Sequence, residues 1–244
     1  MASRDDQFWA GFFGVKPSDW IAAGVSVHPH VGLRGYCGLW CFRRGDRTVV
    51  SVPQDWVATL ASRLDDRHKN RLFDENFLRE LVGSDFDSLI GPAFQGCLDP
   101  RRFRPVASEN VRFVGPKDVT AIARFREACS PADWEHSGLD KAPLHQVAYF
   151  EDSMITAMAG YRPRNDVTGD PCVLTHPRFY GRGYGTAVVS AVVQRALEQD
   201  KLLLYQTLEA NRGAVGIAFK LGYEQYARHV AVRLKRDKPE HVDE

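Results

Sequence analysis

The chain has 244 residues, of which 44% are hydrophobic and 26% charged, a composition that supports a globular core. Its 32 Lys and Arg side chains nearly balance 31 Asp and Glu side chains, so a net charge of +1 gives no bulk attraction for nucleic acid, and we expect no nucleic-acid partner. No apolar run approaches the roughly 20 residues that cross a bilayer, and the first residues lack a secretion signal, so we expect no membrane partner and a cytoplasmic location.

The five cysteines do not suggest a disulfide framework, because their number is odd in a chain of this length. Cys37 and Cys41 form a C-x3-C pair, but no second pair of Cys or His follows at the spacing of a zinc site. Residues four apart on a strand share a face, so we predict that both thiols fill apolar space. The sequence therefore predicts no metal site and a reducing compartment.

Residues 1–107 predict a small N-terminal α/β domain. Its elements are a strand at 36–42, a turn at 43–46, a strand at 48–52, and helices at 53–64 and 73–82. An apolar stretch at 89–94 is interrupted by Gly91 and Pro92. The Arg- and Pro-rich segment 99–105 predicts a linker, so we place the domain boundary after residue 107.

Residues 108–244 predict a second α/β domain. Its elements are a strand at 111–114, a helix from 116, a polar loop at 129–143, strands at 146–150, 154–161 and 171–175, a helix at 184–198, a strand at 202–208, a helix from 211 and a strand at 229–234. This order indicates a mixed sheet flanked by helices.

The clearest motif is a set of three alternating glycines, Gly181, Gly183 and Gly185, between a strand and an apolar helix. Glycines let backbone N–H groups approach a ligand closely, and a helix N-terminus attracts anions, of which a diphosphate is a natural example. A dinucleotide fingerprint would need a third glycine where Thr186 stands, and a P-loop would need Gly-Lys-Ser/Thr. The possibility that these glycines only form a structural turn stays open.

The segment His176-Pro177-x-x-Tyr180-Gly181-Arg182-Gly183-Tyr184-Gly185 resembles the acyl-CoA-binding motif of the GNAT superfamily of N-acyltransferases, (Gln/Arg)-x-x-Gly-x-(Gly/Ala). Tyr180 departs from the Gln/Arg position. A second segment, from Asn211-Arg212-Gly213-Ala214 to Lys220-Leu221-Gly222-Tyr223, is similar to the family's Asn-x-x-Ala…Lys-Leu-Gly-Phe/Tyr element, in which Asn211 is a good N-cap. The resemblance covers about residues 110–234.

Membership in this family implies a mixed sheet that splays at the strand before the glycines and binds acetyl-CoA as co-substrate, without a metal. The pantetheine arm would pair with the backbone of residues 172–175, and the loop would hold the diphosphate. The residues implied in cofactor binding are Val173, Leu174, Thr175, Tyr180, Gly181, Arg182, Gly183, Tyr184, Gly185, Thr186 and Asn211.

The resemblance leaves the catalytic groups open. Many members carry a catalytic tyrosine on the second-motif helix, but Ala218 holds that position here, so no acid is assigned. Candidates for the base are Glu135 and His136 in the predicted polar loop, and Asp170 before the splayed strand. We assign the catalytic role to Glu135 and Asp170; His136 stays an alternative.

The resemblance implies an N-acetyltransferase that acts on a primary amine, which we expect to belong to a small molecule. The alternatives are a non-catalytic acyl-CoA sensor or scaffold, favoured by Ala218 and Tyr180, and a protein-lysine acetyltransferase. The N-terminal domain would complete the acceptor cleft or form an interface, and it could be a degenerate copy of the same fold. A homodimer is compatible with the sequence.

Overall fold

A computed structural model describes residues 3–141 and 143–235 of the chain. In chain order its helices and strands are α1 (Arg4–Phe13), α2 (Pro17–Trp20), β1 (Gly24–Pro29), β2 (Gly38–Arg44), β3 (Arg47–Val52), α3 (Val57–Arg63), α4 (Glu75–Val82), β4 (Phe86–Cys97), β5 (Val111–Phe113), α5 (Val119–Ala128), α6 (Pro131–Ser137), β6 (Leu144–Glu151), β7 (Met154–Pro163), β8 (Thr168–Thr175), α7 (Tyr184–Glu198), β9 (Leu202–Leu203), β10 (Tyr205–Leu208), α8 (Arg212–Lys220) and β11 (Glu224–Leu234). The protein is therefore a mixed α/β protein, as the sequence predicts.

The chain divides into two compact units. Among the described residues, unit 1 contains 3–94, 208–210 and 226–235, and unit 2 contains 95–141, 143–207 and 211–225. The predicted boundary after residue 107 therefore differs from the observed division in two ways. Unit 2 starts earlier, and most of β11 belongs to unit 1. Sequence patterns do not reveal that the chain returns to unit 1 at β11, because the pattern of a strand shows which face is buried and not which strand it pairs with.

Unit 1 is built on a sheet in which the neighbouring strands run in the order β1-β3-β2-β11, with β4 next to β11. The predicted hairpin is present, since β2 and β3 pair antiparallel from Trp40↔Ser51 to Arg44↔Arg47. β11 pairs antiparallel with β2, for example Val230↔Cys41. Helices α3 and α4 contribute Leu60, Leu78 and Leu81 to the core, which also contains Cys41 with Cys37 packed against it. The two thiols therefore fill apolar space.

Four elements of unit 1, α1, α2, β1 and β4, were not predicted from the sequence. Helix α1 begins after Ser3, which forms a capping box with Asp6 and so satisfies two helix-end N–H groups. Its apolar face contributes Trp9, which lies 4.6 Å from the Phe42 ring between centroids. Strand β4 continues through the Gly91–Pro92 pair by a cis peptide bond.

Unit 2 contains a five-stranded sheet in the order β5-β6-β7-β8-β9, in which β5, β6, β7 and β8 are antiparallel neighbours. A core on one side of this sheet includes Phe125 of α5, Leu174 of β8 and partly buried Trp134 of α6. Most residues of helix α7 are buried, and its bounds agree with the predicted helix at 184–198.

The segment 129–143 is not the loop that we predicted, because it contains helix α6. Ser130 caps this helix by accepting the Asp133 N–H at 3.0 Å, Pro131 occupies its first turn, and Gly138 ends it with a φ of 77°. The strand expected at 171–175 also starts earlier, at Thr168. Both differences place predicted site residues on regular elements.

Candidate functional site

Strands β8 and β10 part in the middle of unit 2. β8 pairs in parallel with β9 at Thr168↔Leu202 and Gly169↔Leu203, and the Leu204 N–H donates to the Gly169 carbonyl at 2.8 Å. Beyond that point, in the described chain, β10 is not part of the five-stranded sheet. The backbone edge of β8 from Asp170 onward is therefore available to a ligand.

A cavity of about 660 Å³ occupies the space between the parted strands. Its walls come from β8, β10, α6, α8 and the glycine loop with the first turn of α7. Of the residues predicted to bind the cofactor, those that line the cavity are Val173, Leu174, Thr175, Tyr180, Gly181, Gly183, Tyr184, Gly185, Thr186 and Asn211. Arg182 is not among the described residues of the wall, and its guanidinium lies 5.0 Å from the centroid of the Phe179 ring.

The glycine loop presents open backbone to this cavity. Gly181 and Gly183 have φ values of 79° and 88°, which other residues rarely adopt. A Cβ added to either would meet nothing within 4 Å among the described residues. Gly183 is the N-cap of α7 and has no side chain to accept a helix N–H. The N–H groups of Tyr184, Gly185 and Thr186 therefore lack intrahelical acceptors and, with the helix dipole, form an anion site.

Gly185 serves a different purpose from the other two glycines. A Cβ at this position would lie 2.8 Å from Thr175 Oγ1 and 3.2 Å from Ile217 Cδ1. The glycine therefore allows the start of α7 to pack closely against the end of β8 and against α8.

The aromatic side chain of Tyr184 is fixed on strand β6. Its ring stacks on Tyr149 with the centroids 4.2 Å apart, and its hydroxyl donates to a Glu151 carboxylate oxygen. This hydrogen bond raises the pKa of Tyr184. The residue therefore presents its backbone to the anion site, and its hydroxyl is engaged elsewhere.

Helix α8 forms one wall of the cavity. Asn211 caps it by accepting the Ala214 N–H at 3.1 Å, as predicted from the sequence. Gly213, Gly216, Ile217 and Lys220 line the cavity, which is the i, i+3, i+4, i+7 spacing of one helix face. Ala218 is fully buried. The position at which the resemblance implied a catalytic tyrosine therefore lies in the core here.

Helix α6 forms another wall of the cavity. It carries two of the predicted bases, and only one of them lines the cavity. His136 lines the cavity together with Asp133 and Ser137, whereas exposed Glu135 is outside the set of described lining residues. The Asp133 carboxylate accepts the Ser130 hydroxyl at 2.7 Å. Asp133 and Ser137 were missed from the sequence, because their cavity-facing position depends on the unpredicted helix.

Asp170 lies within β8 and is held by an ion pair. Its Oδ2 accepts Arg164 Nε at 2.7 Å, and the residue is 9% exposed. Burial raises the pKa of Asp170, and the Arg164 guanidinium opposes that shift. Asp170 is not among the described residues that line the cavity, so this geometry supports a structural role better than the predicted catalytic one.

Within residues 3–141 and 143–235, no group of three or more His, Cys, Asp and Glu side chains is arranged to hold a metal ion. In the same part of the chain, no helix combines the length and the apolar character that crossing a membrane requires.

Residues 117–223 match the model of the acetyltransferase (GNAT) family. A comparison with curated proteins found no match. Among solved structures, the chain resembles a GNAT-family acetyltransferase from Colwellia psychrerythraea, at 15% identity and a TM-score of 0.50, over 66% of this chain and 62% of that one. A GCN5-related N-acetyltransferase from Kribbella flavida is 18% identical, with a TM-score of 0.47, over 66% and 64% of the two chains.

A third structure, from Salmonella typhimurium, contains its cofactor acetyl-CoA. It is 13% identical, with a TM-score of 0.39, over 55% of this chain and 99% of that one. Of the three structures, the Colwellia protein alone reaches a TM-score of 0.5, so the likeness of fold rests on it. This chain spans 62% of the length of that protein.

Proposed function

Residues 117–223 of this chain form a domain of the acetyltransferase (GNAT) family, and on that premise we propose that the protein transfers the acetyl group of acetyl-CoA to the primary amine of a small molecule. The observation that carries the proposal is the anion site of unpaired N–H groups at the start of α7, beside open-faced Gly181 and Gly183, at the edge of the cavity between β8 and β10.

The residues present fit coenzyme A. The N–H groups of Tyr184, Gly185 and Thr186 would bind the diphosphate, and Arg212 and Lys220 add positive charge to the same cavity. The pantetheine arm carries amide groups. These would bond to the backbone edge of β8, which has no strand partner beyond Gly169 within the described chain.

The acetyl transfer needs a neutral amine, and His136 is the predicted base that lines the cavity. Histidine changes protonation near neutral pH and is the commonest general base. In the proposed step the amine nitrogen forms a bond to the thioester carbonyl carbon, its proton passes to His136, and the C–S bond breaks with release of CoA thiolate. A thiolate leaves readily, since thiols have a pKa of about 8.5. The absence of an acid at Ala218 is therefore compatible with turnover.

A small-molecule acceptor is favoured over a lysine-bearing peptide by the charges of the cavity. Among its described lining residues, Asp133 is the one acid, and Arg212 and Lys220 are basic. A groove for basic peptides would carry more negative charge. The cavity volume lies within the range of small-ligand sites, roughly 300–1,000 Å³.

The proposal is tested by calorimetric titration with acetyl-CoA, using Gly183→Ala and Gly45→Ala as a matched pair. Both glycines have positive φ, 88° and 54°, with open space around an added Cβ among the described residues. Both substitutions therefore place a side chain at positive φ, but of the two glycines only Gly183 borders the cavity. We expect Gly45→Ala to bind acetyl-CoA normally and Gly183→Ala to bind at least about tenfold more weakly. Equal binding by the two variants, or no binding by the unaltered protein, would contradict the proposal.

A second function, acyl-CoA binding without catalysis, is favoured by one observation, the burial of Ala218 at the position where the resemblance implied a tyrosine. A panel of small primary amines with acetyl-CoA, followed by free-thiol release, distinguishes the two functions. Turnover on any amine that is lost in His136→Gln supports the transferase. Tight CoA binding without turnover on the whole panel supports the binding protein.

A further inference from the structure

Two side chains, those of Arg182 and Tyr184, stand among the three glycines of the loop. Glycine has the largest backbone freedom of any residue, so the backbone alone fixes the N–H groups between glycines poorly. The Arg182 guanidinium lies over the ring of Phe179, which directly precedes the loop in the chain. Tyr184 instead contacts another element, strand β6. Its side chain therefore connects the glycine loop to the sheet of unit 2.

The contact between Tyr184 and β6 has two parts. The Tyr184 ring stacks on the Tyr149 ring with the centroids 4.2 Å apart and the planes at 20°, and the Tyr184 hydroxyl donates to Glu151 Oε1. Glu151 is the last residue of β6, where the chain turns towards β7. A hydrogen bond to a carboxylate is stronger than one between neutral groups. The stack and the hydrogen bond together hold the side chain in one orientation.

The strand that carries both partners of Tyr184 is itself well supported. β6 lies between β5 and β7 and pairs with each of them. The Tyr149 hydroxyl accepts Asn110 Nδ2 at 3.2 Å, and the Phe150 N–H donates to the Asn110 carbonyl at 2.9 Å. The partners of Tyr184 are therefore in place before any ligand binds.

We propose that Glu151 is a positioning residue for the cofactor, which acts through Tyr184 to hold the glycine loop in its anion-binding conformation. The inference rests on the proposed binding of acetyl-CoA. The Tyr184 N–H is the first of the three that would bind the diphosphate, and a glycine lies on each side of it. A loop that is already ordered loses less entropy when a ligand binds, so its affinity is higher. Without the hydrogen bond, part of the binding free energy would be spent on ordering the loop.

The test is a double-mutant cycle in which calorimetry measures the affinity for acetyl-CoA, so that it does not depend on knowing the acceptor. Tyr184→Phe removes the hydroxyl and keeps the stacked ring, Glu151→Ala removes the acceptor, and the double variant removes both. Glu151→Gln keeps an oxygen that can accept the hydroxyl, and so separates the hydrogen bond from the charge. The matched control is Tyr36→Phe in unit 1, which also removes one hydroxyl hydrogen bond, to the Val232 carbonyl at 3.2 Å.

We expect Tyr184→Phe and Glu151→Ala each to weaken acetyl-CoA binding about fivefold, and the double variant to lose no more than either alone. Glu151→Gln should stay within about twofold of the unaltered protein, and Tyr36→Phe should bind normally. Thermal unfolding without ligand is measured in the same variants. A hydrogen bond with a structural role alone would lower the unfolding temperature of Tyr184→Phe, as in Tyr36→Phe, and leave the affinity unchanged.

Three outcomes would overturn the positioning proposal alone: unchanged affinity in Tyr184→Phe and Glu151→Ala, losses that add in the double variant, or a loss in Glu151→Gln as large as that in Glu151→Ala. Failure of the unaltered protein to bind acetyl-CoA would overturn the proposed function as well.

Discussion

Neighbouring residues on α6 have different surroundings because successive residues of a helix are about 100° apart around its axis. His136 lines the cavity, and Glu135 is outside the described wall. The sequence places both in a polar stretch, and from it we assigned the catalytic role to Glu135 and kept His136 as an alternative. The proposed choice of His136 as the base therefore rests on the helix that Ser130 caps.

The role of His136 gives a prediction for kinetics. Once an acceptor is known, His136→Gln should lower kcat by about 100-fold or more, because the amine loses its proton acceptor, while KM for acetyl-CoA should stay unchanged. Steady-state rates of thiol release measure both parameters. Glu135→Gln is the control for the alternative base, and a larger loss in that variant than in His136→Gln would contradict the assignment.

The three glycines of the loop illustrate what residue-level prediction can and cannot achieve. Their spacing was sufficient to predict a backbone anion site. It did not reveal that Gly181 and Gly183 are required by their backbone conformation, whereas Gly185 is required by the contact with Thr175 and Ile217. That contact joins residues distant in the sequence, so no local pattern records it.

Asp5 gives a prediction for pH dependence. This carboxyl is 9% exposed, and burial together with the neighbouring Asp6 charge raises its pKa from 3.8 to about 6. Asp6 forms an ion pair with Arg44 at 3.0 Å and accepts a hydrogen bond from the Tyr226 hydroxyl at 2.7 Å. A raised pKa in the folded state means that Asp5 supports folding in its protonated form. This contribution is complete below the unfolded pKa of 3.8 and is lost as the pH rises through about 6.

Asp5→Asn should therefore raise the free energy of unfolding at pH 7 by on the order of 2 kcal/mol, because no charge is then buried. The gain should shrink as the pH falls towards 4. Chemical denaturation at several pH values, followed by the fluorescence of the tryptophans, measures the difference. A variant less stable than the unaltered protein at pH 7 would show that the charged form is favoured instead.

At the scale of the element, long periodic segments were predictable and short capped ones were not. Helix α7 has fifteen residues with a buried face, and its predicted bounds agree with the structure. Helix α6 has seven residues and only partly buried apolar side chains, so hydrophobic periodicity gave no signal. The sequence signal for this helix lies at its two ends, where Ser130-Pro131 and Gly138 are typical start and stop residues.

The cap of α8 should make a measurable contribution to stability. Asn211→Ala removes the acceptor for the Ala214 N–H and should lower the free energy of unfolding by about 1 kcal/mol. Thermal unfolding without ligand is the measurement. Asn211→Ser keeps a capping oxygen and should stay within a few tenths of a kcal/mol of the unaltered protein. If the serine variant loses as much as the alanine variant, capping is not the reason.

At the scale of the whole molecule, every residue that lines the cavity belongs to unit 2. Binding of CoA should therefore stabilise unit 2, by about 2.7 kcal/mol at a ligand concentration 100 times Kd. We expect hydrogen exchange measured by mass spectrometry to slow in segments 171–186 and 205–217, and to change little in α3 and α4. Equal slowing in both units would contradict a site confined to unit 2.

Domain organisation was the least predictable feature. The change in composition near residues 99–105 pointed to a boundary, and unit 2 begins close to it, at Gln95. The placement of β11 depends on the pairing of Val230 with Cys41, nearly 200 residues away in the chain. Both strands are apolar and could pair with many partners, so sequence alone does not specify this one.

The position of β11 has a consequence for synthesis of the protein on the ribosome. This strand lies between β2 and β4, yet it is translated long after both of them, because β4 ends at Cys97 and β11 begins at Glu224. Until it emerges, the nascent first unit exposes strand edges that invite wrong pairing with other chains. Completion of that unit is consequently delayed until β11 has been translated, and a chaperone that shields open edges should increase the yield of folded protein.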